Sequence, residues 1–344
     1  MNKILTISIA AYNVEKYLSN TLDSFICSKD VMDAIEVIIV SDGSKDKTVQ
    51  IAKEYVDRYP NSFILIEKEN GGYGSTINSS LQIARGKYYR TVDGDDWVNT
   101  KGFERYVRKL KDIDSDLIIT KFCTVMDDDS KATQEVTHGL FFNETVMDFD
   151  SIIQNEVSDF LSMHCLTFRT ELLLKHNISI TEHCFYTDSE LVMKPVQYIK
   201  TVVKINEIVY MYRIGREGQS VSIPSRMKHI DQSILVNLKK AQLLESVVSN
   251  PNVSKPKKEY LYRAIVQDVA EHYYYLLAIK EKNKSLAALK NFDDMLKSNA
   301  PYVYQEVNKT TRQRIIESLR KVRFKKITLV VLLYRWRILS QLKH

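Results

Sequence analysis

The chain has 344 residues, of which 44% are hydrophobic and 27% charged, as in a soluble protein with one large or two modest domains. No window contains the ~18 consecutive apolar residues of a membrane span, which excludes an integral membrane protein. The apolar start lacks a small-residue cleavage site, so we expect a first strand, no signal peptide and a cytoplasmic protein.

The net charge of +6 is unevenly distributed. From Arg312 to the end the chain has ten Lys and Arg residues and a single acid, Glu317, so the remainder is slightly acidic. A nucleic-acid-binding enzyme needs a basic face along the whole site. We therefore expect no nucleic acid among the partners.

The first third of the chain alternates between strand and helix patterns. Strands are predicted at 4–11, 34–40, 63–67, 87–92 and 116–122, and helices at 14–26, 46–59, 74–84 and 101–111. Repeated units of this length indicate an α/β fold with a parallel, doubly wound sheet. Short strands and loops follow from about 126 to 222, and long helices follow 228. The sequence thus predicts domains at 1–225 and 226–344.

Polar motifs directly follow the predicted strands, where parallel sheets bind ligands. The sharpest is 91–97 (Thr-Val-Asp-Gly-Asp-Asp-Trp), which places Asp93, Asp95 and Asp96 after a buried strand. Three carboxylates in four residues repel one another unless a cation or hydrogen bonds gather them. A hard divalent ion, Mn²⁺ or Mg²⁺, takes such oxygen ligands and leaves positions for diphosphate oxygens. The other interpretation of this motif is a solvated acidic turn.

Two further motifs are weaker when taken singly. Residues 41–48 (Ser-Asp-Gly-Ser-Lys-Asp-Lys-Thr) place Asp42 at a strand end, where it can accept a hydrogen bond from a base or ribose, although Asp-Gly-Ser also forms ordinary turns. Residues 70–78 (Asn-Gly-Gly-Tyr-Gly-Ser-Thr-Ile-Asn) open a helix, and glycines at a helix start suit an anion or a nucleotide.

Together, segments 7–18, 40–48, 70–74 and 92–97 resemble family 2 of the GT-A-fold glycosyltransferases, in order and spacing, across roughly residues 3–220. The resemblance implies an inverting, metal-dependent transferase that uses a UDP-sugar. Its metal ligands would be Asp93, Asp95 and Asp96. The resemblance and the motifs together predict that the nucleotide side includes Ala10, Tyr12, Asn13, Asp42, Gly72, Asp93, Gly94, Arg213, Arg216 and Gln219.

The family's catalytic base usually lies in an acidic pair well downstream. Residues 185–191 (Phe-Tyr-Thr-Asp-Ser-Glu-Leu) resemble this region, which makes Asp188 the first candidate and Glu190 the second. The commoner Glu-Asp doublet is absent, and Asp188 could instead be a helix N-cap. Arg213, Arg216 and Gln219 lie in a segment similar to the loop that closes near the diphosphate. His164 lies in a segment that resembles the acceptor region, and a core histidine is an equal alternative.

The predicted function is transfer of a hexose or N-acetylhexosamine from a UDP-sugar to a hydroxyl of a growing bacterial glycan, on a lipid-linked or glycoprotein acceptor. The alternatives are a nucleotidyltransferase, whose Gly-rich basic signature is not seen at 10–14, and a non-catalytic glycan- or nucleotide-binding protein of the same fold. The basic, apolar tail at 325–339 suits either peripheral contact with the inner face of the plasma membrane or assembly of a homo-oligomer. The four cysteines are expected to be reduced and buried rather than zinc ligands.

Overall fold

The fold has two compact units, Met1–Glu217 and Gly218–His344. It is given by a computed structural model that describes residues 3–127, 132–157, 160–215, 223–310 and 314–325. The sequence places the boundary between domains at 225/226.

Strands of the first unit form one sheet. They are β1 (Leu5–Ala11), β2 (Ile35–Asp42), β3 (Phe63–Lys68), β4 (Tyr88–Asp93), β5 (Trp97–Val98), β6 (Leu117–Met126), β7 (Ala132–Val136), β8 (Met147–Asp148), β9 (Leu166–Arg169) and β10 (Thr201–Ile214). The strand order is β3-β2-β1-β4-β9-β6-β10-β5, with β7 beside β6 and β8 beside β10. The first four strands in this order are parallel, β9 runs antiparallel to both neighbours, and β10 runs parallel to β6.

Helices flank this sheet and make up most of the second unit. Those of the first unit are α1 (Leu18–Asp23), α2 (Lys29–Ala34), α3 (Thr48–Arg58), α4 (Tyr73–Ile83), α5 (Thr100–Leu110), α6 (Phe149–Asn155), α7 (Thr170–Lys175) and α8 (Asp188–Met193). The second unit contains α9 (Ile223–Lys228), α10 (Ile230–Ser249), α11 (Lys255–Leu277), α12 (Lys282–Asn299), α13 (Pro301–Lys309) and α14 (Arg314–Lys321).

The central strands explain why the first unit folds as it does. Every residue of β2 is buried, as is nearly every residue of β1, since helices cover both faces of the sheet. The predicted α/β class with a helical carboxyl-terminal region is confirmed. The sheet is mixed beyond β4, because β9 inserts antiparallel between β4 and β6.

Two predicted elements differ from the structure. The helix predicted at 14–26 is confined to Leu18–Asp23, because the backbone N–H groups of Val14 and Glu15 donate to Thr48 Oγ1 and Asp46 Oδ2. The region predicted as short strands contains β10, a 14-residue strand. Its polar residues obscured it; one of them, Lys204, is buried in an ion pair with Glu156.

The second unit is a helical bundle with an aromatic core. Five tyrosines interleaved with leucines are expected from the sequence to be core aromatics; Tyr260 and Tyr273 are buried, whereas Tyr262, Tyr274 and Tyr275 are half-buried. Tyr273 donates a hydrogen bond to Asp293 Oδ1, and Arg320 from α14 pairs with the same oxygen at 2.5 Å, which fixes α14 to the bundle. Of the helices that the structure describes, none combines the length and apolarity needed to span a membrane.

Candidate active site

An acidic turn connects β4 to β5 at the carboxyl end of the parallel strands. Asp93, Asp95 and Asp96 each offer one carboxylate oxygen, and these three oxygens lie within 4.8 Å of one another. Asp96 is buried, and this burial together with the charges of Asp95 and Asp93 raises its pKa well above the usual range. The sequence motif therefore forms a converging cluster.

The cluster fits a hard divalent cation. Its donors are all carboxylate oxygens, which Mg²⁺ and Mn²⁺ prefer to softer ligands. A cation would also remove the repulsion that raises the pKa of Asp96. Among the described residues, this is the one group of three or more His, Cys, Asp or Glu side chains with metal-binding spacing.

Two tyrosines, the buried Tyr210 and the half-buried Tyr73, lie beside the cluster. The Tyr210 hydroxyl donates to Asp96 Oδ2 at 2.6 Å and accepts the backbone N–H of Asp93 at 3.2 Å. Tyr73, at the start of α4, donates its hydroxyl to Met163 Sδ at 3.3 Å, and the charge of Asp93 contributes to the raised pKa of Tyr73. Burial, with the nearby carboxylates, raises the pKa of both tyrosines, so both stay protonated as donors. Sequence reasoning missed these roles, although Tyr73 lies within the motif at 70–78.

A buried arginine lies behind Tyr210. Arg90 is 1% exposed and donates to the side chains of Thr120 and Thr167 and to the His164 carbonyl. Its guanidinium lies 5.8 Å from the Tyr210 ring centroid. The sequence signal for this role was a charged residue inside a predicted buried strand. Such a residue is expected to bond to buried polar groups rather than to solvent.

The turn is seated against the end of β1. The Gly94 amide donates to the Ala10 carbonyl at 3.0 Å, and a Cβ on Gly94 would lie 2.8 Å from that oxygen. Glycine is therefore required for this approach. Two residues follow the end of β1. Tyr12 is 52% exposed, and the side-chain oxygen of Asn13 accepts a hydrogen bond from the Lys45 backbone N–H at 2.9 Å.

Asp42 lies at the end of β2 and is 2% exposed. Its carboxylate accepts hydrogen bonds from the backbone N–H groups of Gly71 and Gly72, both at 2.8 Å. It also accepts from Ser75 Oγ at 3.1 Å and pairs with Lys68 at 2.9 Å. Asp42 therefore fastens the glycine-rich loop to the sheet, a role that the motif alone did not indicate.

The glycine-rich loop also contacts the segment that leads to Asp188. The His183 amide donates to the Gly71 carbonyl, and a Cβ on Gly72 would lie 3.0 Å from the Cys184 nitrogen. Gly72 has a φ of +80°, which favours glycine. The loop thus positions the amino end of α8 relative to β2.

Asp188 is the first residue of α8, and Thr187 occupies the N-cap position. Asp188 is half-buried, and its charge, like that of Asp93, contributes to the raised pKa of Tyr73. Glu190 differs, because it is buried and its Oε2 accepts the Thr181 amide at 3.1 Å and pairs with Lys194.

The predicted diphosphate residues fall on both sides of the described boundary. Arg213 donates its backbone N–H to Asp96 Oδ1 and its Nε–H to the Asp95 carbonyl, both at 2.8 Å. Its guanidinium is therefore engaged with the acidic turn. Arg216 and Gln219 lie outside the described residues.

His164 has the environment of a core histidine. Its ring is stacked on Tyr212 with centroids 4.2 Å apart and meets Tyr210 edge-on at 4.9 Å. Burial first, and then the charge of Arg90, lowers the pKa of His164 to about 3. It is therefore neutral. The cysteines are free thiols, with Cys123, Cys165 and Cys184 buried and Cys27 half-buried.

Residues 6–176 match the profile of Glycosyl transferase family 2. The chain belongs to this family.

Its curated relatives include the minor teichoic acid biosynthesis protein GgaB of Bacillus subtilis, 29% identical over 220 residues, 64% of this chain and 24% of that protein. The putative glycosyltransferase EpsH of the same organism is 28% identical over 221 residues, which is 61% of this chain and 60% of that protein. The family 2 chain therefore spans less than two thirds of these two relatives' lengths.

A solved structure shares the fold over nearly the whole chain. The crystal structure of Staphylococcus aureus TarS in complex with UDP-GlcNAc superposes with a TM-score of 0.67 at 18% identity, and covers 99% of this chain and 91% of that one. This family 2 chain thus has the GT-A fold with a helical carboxyl-terminal region, as the sequence predicts.

Proposed function

We propose that this protein is an inverting glycosyltransferase that moves a hexose or N-acetylhexosamine from a UDP-sugar to a hydroxyl of a bacterial surface glycan. The observation that carries this function is the clustering of three carboxylates, Asp93, Asp95 and Asp96, at the end of β4, where their oxygens lie within 4.8 Å of one another.

In the proposed site, Asp93, Asp95 and Asp96 hold Mn²⁺ or Mg²⁺. Such an ion stabilises the negative charge that develops on the departing diphosphate. Tyr210 keeps the carboxylate of Asp96 in place by donating a hydrogen bond to its Oδ2. The protein thus contributes a prepared set of oxygens, so that little reorganisation is needed during the reaction.

Asp188 is the proposed general base. It accepts the proton of the acceptor hydroxyl while that oxygen forms a bond to the anomeric carbon. The bond from the anomeric carbon to the diphosphate breaks on the opposite face, so configuration inverts and UDP leaves. The burial of Glu190, which is 2% exposed, favours the half-buried Asp188 for this role, since an acceptor hydroxyl has to reach the base.

The nucleotide side is proposed to lie along the ends of β1 and β2. The exposed ring of Tyr12 offers a face for the base, beside Ala10 and Asn13. Asp42 and Gly72 border the same edge, where a base contact to Asp42 would add to its existing bonds with the glycine-rich loop. Arg216 and Gln219 remain candidates for the diphosphate.

The relatives suggest the acceptor and donor classes. The name of GgaB refers to minor teichoic acid biosynthesis, and TarS was crystallised with UDP-GlcNAc. We therefore propose a polyol-phosphate glycan of the teichoic-acid type as the first acceptor to test, with UDP-GlcNAc and UDP-glucose as the first donors.

The test is release of UDP from a panel of UDP-sugars by the full chain, with Mn²⁺ and with or without chelator and polyol-phosphate acceptor. We expect turnover with at least one donor, loss of turnover with chelator, and a loss of at least ~10²-fold in Asp95→Ala. The control is Asp112→Ala, which removes an exposed carboxylate outside the cluster. Tight UDP-sugar binding without turnover of any donor would instead favour a non-catalytic binding protein.

We also propose that the enzyme acts in the cytoplasm at the inner face of the plasma membrane, held by its basic tail. Residues 326–344 lie outside the described residues, so this rests on their sequence of basic clusters around an apolar run. Co-sedimentation with anionic but not neutral vesicles is the expected result, and equal binding to both would contradict it.

A further inference from the structure

Arg213 makes more contacts with the acidic turn than a substrate-binding side chain requires. It lies near the end of β10, and its side chain is only 12% exposed. Its backbone N–H donates to Asp96 Oδ1 at 2.8 Å, so it orients one carboxylate of the cluster directly. Its Nε–H donates to the Asp95 carbonyl at 2.8 Å, so it also fixes the backbone at Asp95, the residue before Asp96.

The guanidinium is anchored on further sides. Nη1 donates to Asp127 Oδ1, at the end of β6, at 3.1 Å. The guanidinium carbon lies 4.8 Å from the ring centroid of Tyr17 and 4.6 Å from that of Trp97, distances at which cation–π attraction is effective. Tyr17 precedes α1, so Arg213 joins four separate segments of the first unit.

These contacts conflict with a role as a diphosphate ligand. A guanidinium recognises phosphate with a pair of parallel N–H groups. In Arg213 the Nε–H and one Nη1–H are already donated to protein acceptors. A diphosphate bound through the Nε–H would take that hydrogen bond from Asp95, which would loosen the turn that is meant to meet the same diphosphate.

We propose that Arg213 is a positioning residue for the metal cluster, which sets the affinity of the Asp93–Asp95–Asp96 turn for its divalent ion and does not bind the diphosphate. This role rests on the proposed function. Groups that support metal ligands typically change metal affinity by ~10–100-fold when they are removed.

The test is titration of the full chain with Mn²⁺ in the absence of nucleotide, followed by the electron paramagnetic resonance of free Mn²⁺. Arg213→Lys retains the charge and the backbone N–H but loses the Nε–H and the planar contact with both rings. We expect Mn²⁺ binding to weaken by ~10–100-fold, while UDP binding measured calorimetrically without metal stays unchanged. Asp127→Ala, which removes the acceptor of Nη1 and leaves Arg213 itself intact, should weaken Mn²⁺ binding less and keeps the test available if the lysine variant does not fold.

Arg58→Ala is the matched control, because it removes an exposed arginine that lies 5.9 Å from the Tyr55 ring on α3. It should leave both titrations unchanged. Wild-type Mn²⁺ affinity in the Arg213 variants, with weaker metal-free UDP binding, would overturn the positioning role alone. Absence of Mn²⁺ binding by the wild-type protein would overturn the metal site of the proposed function as well.

Discussion

The hydroxyl of Tyr210 lies 2.6 Å from Asp96 Oδ2, and the same hydroxyl accepts the backbone N–H of Asp93. The buried hydroxyl of Tyr210 thus connects Asp93, where β4 ends and the acidic turn begins, with the carboxylate of Asp96 later in that turn. The Arg213 amide holds the other oxygen of Asp96. Asp96 is therefore oriented by two donors from β10, which makes that strand part of the site although it is distant in sequence.

Tyr210→Phe should weaken Mn²⁺ binding without nucleotide by ~10-fold or more, because Asp96 loses one of the two donors that orient it. The free energy of unfolding should also fall by about 1 kcal/mol from the lost hydrogen bond. Both quantities are measurable on the same preparation, by Mn²⁺ titration and by urea unfolding.

Tyr106→Phe provides the control for this change. Its hydroxyl is also buried and donates to Thr167 Oγ1 at 2.7 Å, without contacting the acidic turn. It should cost similar stability and leave Mn²⁺ affinity unchanged. An equal loss of affinity in both variants would show that general destabilisation, rather than the orientation of Asp96, explains the effect.

Asp188→Asn should lower kcat by ~10² to 10⁴ and leave Mn²⁺ and UDP-sugar binding intact, because a general base acts on the proton in transit and not on the donor. Glu190→Gln should instead lower the free energy of unfolding by about 1–3 kcal/mol, because Lys194 loses its buried charged partner. Steady-state kinetics with denaturant unfolding separates these roles. A kcat loss confined to the Glu190 variant would reverse the assignment.

Asp42→Asn should lower the free energy of unfolding by about 2–4 kcal/mol. The amide would place its own N–H groups against the backbone N–H groups whose hydrogen bonds Asp42 now accepts, and it would leave the charge of Lys68 without its carboxylate partner. Glu67→Gln is the control, because Glu67, on the adjacent strand β3, makes an exposed pair with Lys53 of α3. Its expected cost is at most ~1 kcal/mol. Similar costs for both variants would contradict the fastening role of Asp42.

His164 should make stability sensitive to mildly acidic pH. Its folded pKa of about 3 lies below the unfolded value of 6.5, so the unfolded chain takes up a proton first and stability is lost as pH falls below 6.5. Between pH 7 and pH 5, the free energy of unfolding should fall about 1–2 kcal/mol more in the wild type than in His164→Phe, which keeps an aromatic ring. Parallel losses in the two proteins would exclude His164 as the cause.

The motif positions were predictable because they follow local patterns. The apolar run of β2 and the glycines and aspartates after β1, β2 and β4 indicated a parallel sheet and its ligand edge, and the structure brings these segments together. The clustering of three nearby aspartates, Asp93, Asp95 and Asp96, requires only a tight turn after a buried strand, and both features are visible in the local sequence.

The supporting contacts were not predictable, because they join residues far apart in the chain. Tyr210 and Asp96 are separated by 114 positions, and nothing local in β10 identifies that hydroxyl as the partner of a carboxylate. The insertion of β9 between β4 and β6 is likewise a choice of partner rather than a propensity. Arg213 shows the same limit. Its residue type suggested a phosphate ligand, whereas in the structure its side chain contacts the Asp95 carbonyl and the Trp97 ring.

The most direct test of the metal site is the anomalous density of Mn²⁺ in crystals of the full chain grown with Mn²⁺ and UDP. The site described here predicts a peak bonded to carboxylate oxygens of the 93–96 turn and to the diphosphate. A diphosphate bound with no anomalous peak at that turn, or a peak held by other side chains, would contradict it.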